Sequence, residues 1–261
     1  MILLDGKKVA NELKENLKQE IDNLRKQDIV PKLAVISVGT NMAFETYIKN
    51  KENACNYVGI NFERISLSES ISQKELIAKI KQLNVSQDIN GILLQSPIPS
   101  HLNINEAFQT IAIEKDVDGF NPANIGKLSL GIKGFIPCTA AGIIQLLDYY
   151  DIEISGKSVV VVGRSNTVGK PIMKCLLNKD ATVTICHSKT NNLSKYTEEA
   201  DILIVAVGHE KLITENMVKD GAVVVDVGIN WSNTGKLVGD VSYDEVAQKC
   251  SYITPVPGGV G

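Results

Sequence analysis

Residues 158–171 read Ser158-Val159-Val160-Val161-Val162-Gly163-Arg164-Ser165-Asn166-Thr167-Val168-Gly169-Lys170-Pro171, and an apolar helical pattern (Ile172, Met173, Leu176, Leu177) follows at once. This is a buried strand, a glycine turn and a helix in direct succession. Gly163 permits the tight turn, Gly169 permits close approach, and the amides of the helix start suit a phosphate. A Walker loop is excluded by spacing, since five residues separate the two glycines and Pro171 stands where a magnesium-binding hydroxyl belongs. The G-x-G-x-x-G pattern is also broken, because Ser165 replaces its middle glycine. By itself the turn fits either a nucleotide phosphate site or a tight structural turn.

The next strand ends Cys186-His187-Ser188-Lys189-Thr190, 24 residues past Gly163. An NAD site commonly presents Asp or Glu there to the ribose 2′-hydroxyl. No acid is offered here. A hydroxyl, a lysine and an imidazole, with Arg164 at the turn, suit a 2′-phosphate and favour NADP over NAD. As local sequence, Ser188 to Thr190 also reads as a helix cap.

Further strands are expected at Ile202 to Ala206 and Val223 to Val227. Continuous Val and Ile runs mean strands covered on both faces, hence a mostly parallel sheet with helices between its strands. Toward the N-terminus, Val9, Leu13, Leu17, Ile21 and Leu24 form one stripe of a first helix. Leu33 to Val38 reads as a strand, 43–58 as a helix, and Phe62 to Leu67 as a strand. Ser72 and Glu75 form a capping box that starts the next helix. Gly91 to Gln95 is a short strand stopped by Ser96-Pro97-Ile98-Pro99. A helix spans Ile104 to Ile113, and Lys115 to Pro137, rich in Gly, Asn and Pro, reads as irregular, with the domain junction in it or just after it.

Composition narrows the function. The chain has 261 residues, enough for two modest domains, with 44% apolar and 22% charged residues and a net charge of -3. A nucleic-acid protein would cluster Lys and Arg, so no nucleic-acid partner is expected. The five cysteines (Cys55, Cys138, Cys175, Cys186, Cys250) include no C-x-x-C, so neither a disulfide framework nor a thiolate zinc site is suggested, and no metal is expected. No apolar run approaches the ~20 residues that span a bilayer, so a cytoplasmic protein without a membrane partner is expected. With only His101, His187 and His209, and with no G-x-S-x-G elbow, hydrolases of the triad or zincin kind are disfavoured.

Tyr47 and Lys51 stand four apart on a predicted helix and so share a face. Gln95 at a strand end, with Asp116 and Asp118 in a glycine-containing loop, gives them company. A solvated surface pair is the competing reading. These residues belong to a larger set: Tyr47-Ile48-Lys49-Asn50-Lys51, Gly91-Ile92-Leu93-Leu94-Gln95, Lys115-Asp116-Val117-Asp118-Gly119-Phe120, Pro137-Cys138-Thr139, the Gly163 to Pro171 turn, and Thr254-Pro255-Val256-Pro257-Gly258-Gly259-Val260-Gly261. In that order, over the whole chain, the set resembles the bifunctional methylenetetrahydrofolate dehydrogenase/cyclohydrolase family.

The resemblance implies two α/β domains with a cleft between them. Residues 1–138 would form a folate-binding catalytic domain, to which the tail 252–261 returns. Residues 139–251 would form a Rossmann-like NADP-binding domain. It implies that 5,10-methylenetetrahydrofolate passes a hydride to NADP, and that water then opens the methenyl cation to 10-formyltetrahydrofolate. Lys51, assisted by Gln95 and held by Tyr47, would be the catalytic lysine; beside a cationic substrate and away from water, a lysine gives up its proton more readily and serves as a base near neutrality. Tyr47 would also stack on the folate, Asp118 would grip the pterin N–H groups, and Gly258-Gly259 would return to the folate side. The cofactor wall would comprise Thr139, Gly163, Arg164, Ser165, Val168, Gly169, His187, Ser188, Ala206, Val207, Gly208, Gly228, Ile229 and Asn230. A homodimer is implied as well.

The chain departs from the family's usual pattern at Phe44, Ser96 and Ala140, where serine, leucine and proline are common. Relatives also continue past Gly-Gly-Val-Gly with Pro-Met-Thr and a helix, whereas the sequence here stops at Gly261. Two other functions stay open: a dehydrogenase with little cyclohydrolase activity, and a nucleotide-binding module with a decayed site.

Overall fold

The computed structural model describes residues 1–39, 42–232 and 234–261, and the side chains of all of these except 42–44, so Phe44 lies outside the described side chains. In chain order the elements are β1 (Ile2–Leu3), α1 (Gly6–Arg25), β2 (Lys32–Val38), α2 (Met42–Val58), β3 (Asn61–Leu67), α3 (Gln73–Val85), β4 (Gly91–Leu94), α4 (Ile104–Thr110), α5 (Pro122–Ser129) and α6 (Cys138–Tyr149). Then follow β5 (Ser158–Val162), α7 (Gly169–Leu177), β6 (Thr182–Cys186), α8 (Ser194–Thr197), β7 (Ile202–Val205), β8 (Val223–Asp226), β9 (Asn230–Trp231), β10 (Leu237–Val238), α9 (Tyr243–Val246) and β11 (Tyr252–Ile253). The chain divides into two compact units: residues 11–136, and residues 1–10 together with 137–261.

The unit of residues 11–136 is built on a three-stranded parallel sheet, β3-β2-β4. Alternation along β2 splits its side chains between two layers. Ala34, Ile36 and Val38 face a core with Leu76 and Ile80 of α3 and Phe108 of α4. Val35 and Leu93 pack against Ile48 of α2 on the other face. The Ser72–Glu75 capping box is present, with the Ser72 hydroxyl accepting from the Glu75 amide and the Glu75 carboxylate accepting from the Ser72 amide.

The other unit carries a six-stranded parallel sheet of order β1-β11-β8-β7-β5-β6. β5 lies between β7 and the edge strand β6, and Val159 to Val162 are all at most 2% exposed. At about 1.5–3 kcal/mol for each fully buried aliphatic side chain, this strand is a main hydrophobic anchor of the unit. Val160, Val162, Leu203, Val205, Val224 and Ile253 share one core with Ile213, Val218 and Val246. No helix among the described residues is long and apolar enough to cross a membrane.

Several expectations are corrected. The stretch 115–137 is not irregular throughout: Asn121 caps α5 by accepting from the Ala123 amide, and Pro122 supplies its first turn. α4 ends at Thr110 rather than Ile113, because the Asn84 side chain takes the Thr110 carbonyl and the Ala112 amide and draws the chain out of the helix. Within the apolar stripe of α1, Val9 and Ile21 are buried, whereas Leu13 and Leu17 are 42% and 38% exposed. The tail meets the chain's beginning, where the Gly6 and Lys7 amides donate to the Gly258 carbonyl, and residues 1–10 and the tail both group with the six-stranded sheet. The cause is strand pairing: β11 lies between β8 and β1, in register Ile2↔Tyr252 and Tyr252↔Val223.

Candidate functional site

In the three-stranded unit, β4 delivers Gln95 to the end of the sheet, where its amide donates to the Ile36 carbonyl of β2. α2 runs past the same sheet, and burial of Ile48 against Val35 and Leu93 fixes its rotation. The consequence is one direct contact: Lys51 Nζ donates to Gln95 Oε1 at 2.7 Å, with both groups half-buried. Gln95 Nε2 in turn donates to the Ser96 carbonyl at 3.0 Å, which orients the carboxamide so that its oxygen faces the lysine. Tyr47 lies one turn before Lys51 on α2 and is 47% exposed.

Asp116 and Asp118 separate into different roles. Asp116 is 1% exposed and accepts from the Phe120 and Asn121 amides and from Asn124 Nδ2. Its carboxylate folds the loop and is not offered to a ligand. A parallel bridge between Asp116 and Ile92 lays the loop along β4, so half-buried Asp118 follows in the direction that leads to Gln95.

In the six-stranded unit, Gly163 ends β5 with φ 127°, and a Cβ there would overlap the Ala206 carbonyl oxygen. A Cβ on Gly169 would likewise strike the Gly163 carbonyl. β5 stands between β6 and β7, so the turn sits where the strand order reverses, at the carboxyl ends of the strands. Open α/β sheets bind ligands in that crevice.

One detail differs from expectation. The amides at the start of α7 are not open, because the Ser165 hydroxyl accepts from Val168 at 3.1 Å and Gly169 at 3.3 Å. Ser165 therefore occupies the amides of the turn that enters α7, whose N-cap position is held by Val168 without a side-chain cap bond. The pairing Val162↔Cys186 places exposed Arg164 beside the residues that follow β6. There the Lys189 amide donates to His187 Nδ1 at 3.2 Å, leaving Nε2 to carry the proton of the neutral ring, while Ser188 and Lys189 are exposed. Thr139 lies in the first turn of α6, which packs alongside α7.

A family model described as tetrahydrofolate dehydrogenase/cyclohydrolase, catalytic domain, matches residues 4–118, and its NAD(P)-binding-domain counterpart matches residues 137–261. The chain belongs to the tetrahydrofolate dehydrogenase/cyclohydrolase family. It is 51% identical over 261 residues to a Campylobacter hominis protein named Bifunctional protein FolD, covering all of this chain and 92% of that relative. A Campylobacter jejuni crystal structure, titled as bifunctional FolD methylenetetrahydrofolate dehydrogenase/cyclohydrolase, superposes with a TM-score of 0.99 at 49% identity, covering 100% of this chain and 93% of that one. A Trypanosoma brucei FolD, solved with NADP cofactor and inhibitor, aligns with a TM-score of 0.94 at 34% identity, covering 100% and 92%.

As a member of this family the chain would hold NADP, and the donor set fits it. The glycine cradle after β5 leaves room beside Ala206, and a guanidinium, an imidazole Nε2–H, a hydroxyl and an ammonium collect after β5 and β6 without a carboxylate among residues 186–190 to repel a 2′-phosphate. Val207 and Gly208 follow β7 and are exposed, while Gly228, Ile229 and Asn230 follow β8.

The sequence reading missed two residues of this region. Asp226, which ends β8, and Asp240 are 4% and 0% exposed. Asp226 accepts from the Gly228, Asp240 and Val241 amides, and burial pushes its carboxyl up to about 6 against the pull of those donors. A signal existed: an acid closing the run Val223-Val224-Val225 has to be buried, and Gly239-Asp240-Val241 is a second acid between small or apolar neighbours.

Proposed function

We propose that this family member oxidises 5,10-methylenetetrahydrofolate to the methenyl form with NADP and hydrolyses that product to 10-formyltetrahydrofolate, with Lys51 as the proton-transferring residue. The Lys51–Gln95 hydrogen bond at 2.7 Å carries the assignment of the residue. Bound NADP supplies the two-electron acceptor for the hydride of the methylene carbon.

The chain's own residues do the rest. Gln95 accepts one N–H of Lys51 and so sets where Nζ points, leaving its other positions to face a substrate water. In hydration, water attacks the methenyl carbon and sheds a proton to Lys51 Nζ, which returns it to the nitrogen that leaves as the ring opens; the remaining hydroxyl proton passes to solvent as the formyl C=O forms, so one proton is released overall. Asp118, as an acceptor, suits the pterin amino and ring N–H groups, and Tyr47, with its ring open to solvent one turn from Lys51, suits stacking on the folate. Arg164, His187 and Ser188 would take the 2′-phosphate, while Gly163 allows the nucleotide backbone its close approach.

Residues 1–138 are read as supplying the folate side and 139–251 the nucleotide side. The protein is further read as a cytoplasmic homodimer. Five free cysteines suit a reducing compartment, and Trp231, 71% exposed on the β9–β10 hairpin, suits a face covered by a second copy. Spectrophotometric turnover tests the function directly. Methylenetetrahydrofolate oxidation should run with NADP and far less well with NAD, and methenyl hydrolysis should proceed without nucleotide. Nucleotide binding without either turnover would leave only a nucleotide-binding module.

A further inference from the structure

Asp240 is wholly buried, yet it belongs to no strand or helix and packs beneath the loops that follow β7 and β8. Its Oδ2 accepts from the Val207 amide at 2.7 Å and the Gly208 amide at 3.0 Å. Its Oδ1 accepts from the His209 amide at 2.8 Å and from Asn230 Nδ2 at 2.9 Å. Three consecutive backbone amides turned onto one anion make a nest, the arrangement by which main chain commonly holds a phosphate. Here the chain's own carboxylate fills it.

Asp240 is itself held. Its amide, with that of Val241, donates to the Asp226 carboxylate, and the Ile213 amide donates to its carbonyl. Two glycines make the packing possible: a Cβ on Gly228 would overlap the Asp240 carboxylate, and one on Gly239 would overlap that of Asp226. The strand end of β8, the 239–241 segment, the loop after β7 and the Asn230 side chain are thereby joined through two buried acids.

We propose that Asp240 is a positioning residue for the dinucleotide, fixing the 207–209 loop and Asn230 together before NADP arrives, and that the amides of this loop are therefore not phosphate donors. What the loop leaves to a ligand is carbonyl oxygen and the exposed Val207 side chain, surfaces that suit hydroxyl donors and a ring face. This rests on the NADP-dependent reading above.

The test combines two measurements on the full chain. In the first, amide-resolved hydrogen exchange follows Val207, Gly208 and His209 in the wild-type protein. These amides should exchange slowly before nucleotide is added, with little change on addition of NADP; fast exchange that slows only with NADP would overturn the proposal. In the second, Asp240→Asn offers one acceptor oxygen where two are used and turns an NH2 onto N–H donors. NADP titrations should show a dissociation constant raised about 10- to 100-fold, with the KM for NADP rising in parallel. Nucleotide-free methenyl hydrolysis should stay within about twofold of wild type, a split that general unfolding would not give. NADP affinity within about twofold of wild type in a folded Asp240→Asn protein would overturn the proposal. If the variant does not fold, the wild-type exchange result decides. Wild-type protein that fails to bind NADP at all would instead sink the functional reading.

Discussion

On the proposed reading, nucleotide choice turns on Arg164. It is exposed at the end of β5, next to the His187-Ser188-Lys189 turn, and no acid stands among residues 186–190. A guanidinium–phosphate hydrogen bond is worth about 1.5–3 kcal/mol, so Arg164→Ala should weaken NADP about 10- to 100-fold and leave NAD nearly unchanged. Parallel titrations with the two nucleotides check this, and equal losses would remove Arg164 from the 2′-phosphate. The residue types in the site were legible, since an arginine and a hydroxyl pair after successive buried strands say what ligand they suit. Their occupancy was not: that Ser165 would spend its hydroxyl on the Val168 and Gly169 amides depends on how the turn closes. The Lys51–Gln95 contact joins residues 44 positions apart, and no local spacing reports such a meeting.

At the scale of elements, the strand starts of the parallel sheet are tied by Asp201, which precedes β7. Its carboxylate accepts from Lys219 Nζ at 2.6 Å and from the Ser158 amide of β5 at 2.9 Å. The lysine first, and then the amide, hold its pKa below the ordinary 3.8. A carboxylate whose folded value is lowered stabilises in full above its unfolded value and loses that contribution as pH falls through the folded one. The side chain is 34% exposed, so screening limits the gain. Asp201→Asn should therefore cost about 0.5–1 kcal/mol at pH 7 and progressively less below pH 4, as read from urea midpoints at pH 7 and pH 3.5. A constant difference across that range would show that the pair contributes through shape rather than charge. Elements with strong local signals were readable: the Ser72–Glu75 box starts α3 as expected, β5 occupies the expected residues, and β6 ends at Cys186. α5 was hidden because Gly, Asn and Pro were read as composition, whereas Asn121-Pro122 is itself a helix start.

At the scale of the molecule, a mostly parallel sheet was legible from its Val and Ile runs, because strands covered on both faces leave no polar alternation. Its full width was not. β1 and β11 are two residues each, lie at opposite ends of the chain and exist only by pairing with one another and with β8. The same pairing takes the tail and the first ten residues into the nucleotide-side unit, which a boundary drawn along the sequence could not anticipate. The proposed division of labour assigns hydration to Lys51 in one unit and nucleotide capture to the Gly163 turn in the other. The most direct measurement is methenyl hydrolysis by Lys51→Ala, read beside its NADP dissociation constant. The account predicts hydrolysis reduced by about 10²-fold or more with NADP affinity within about twofold of wild type; hydrolysis at the wild-type rate would contradict it.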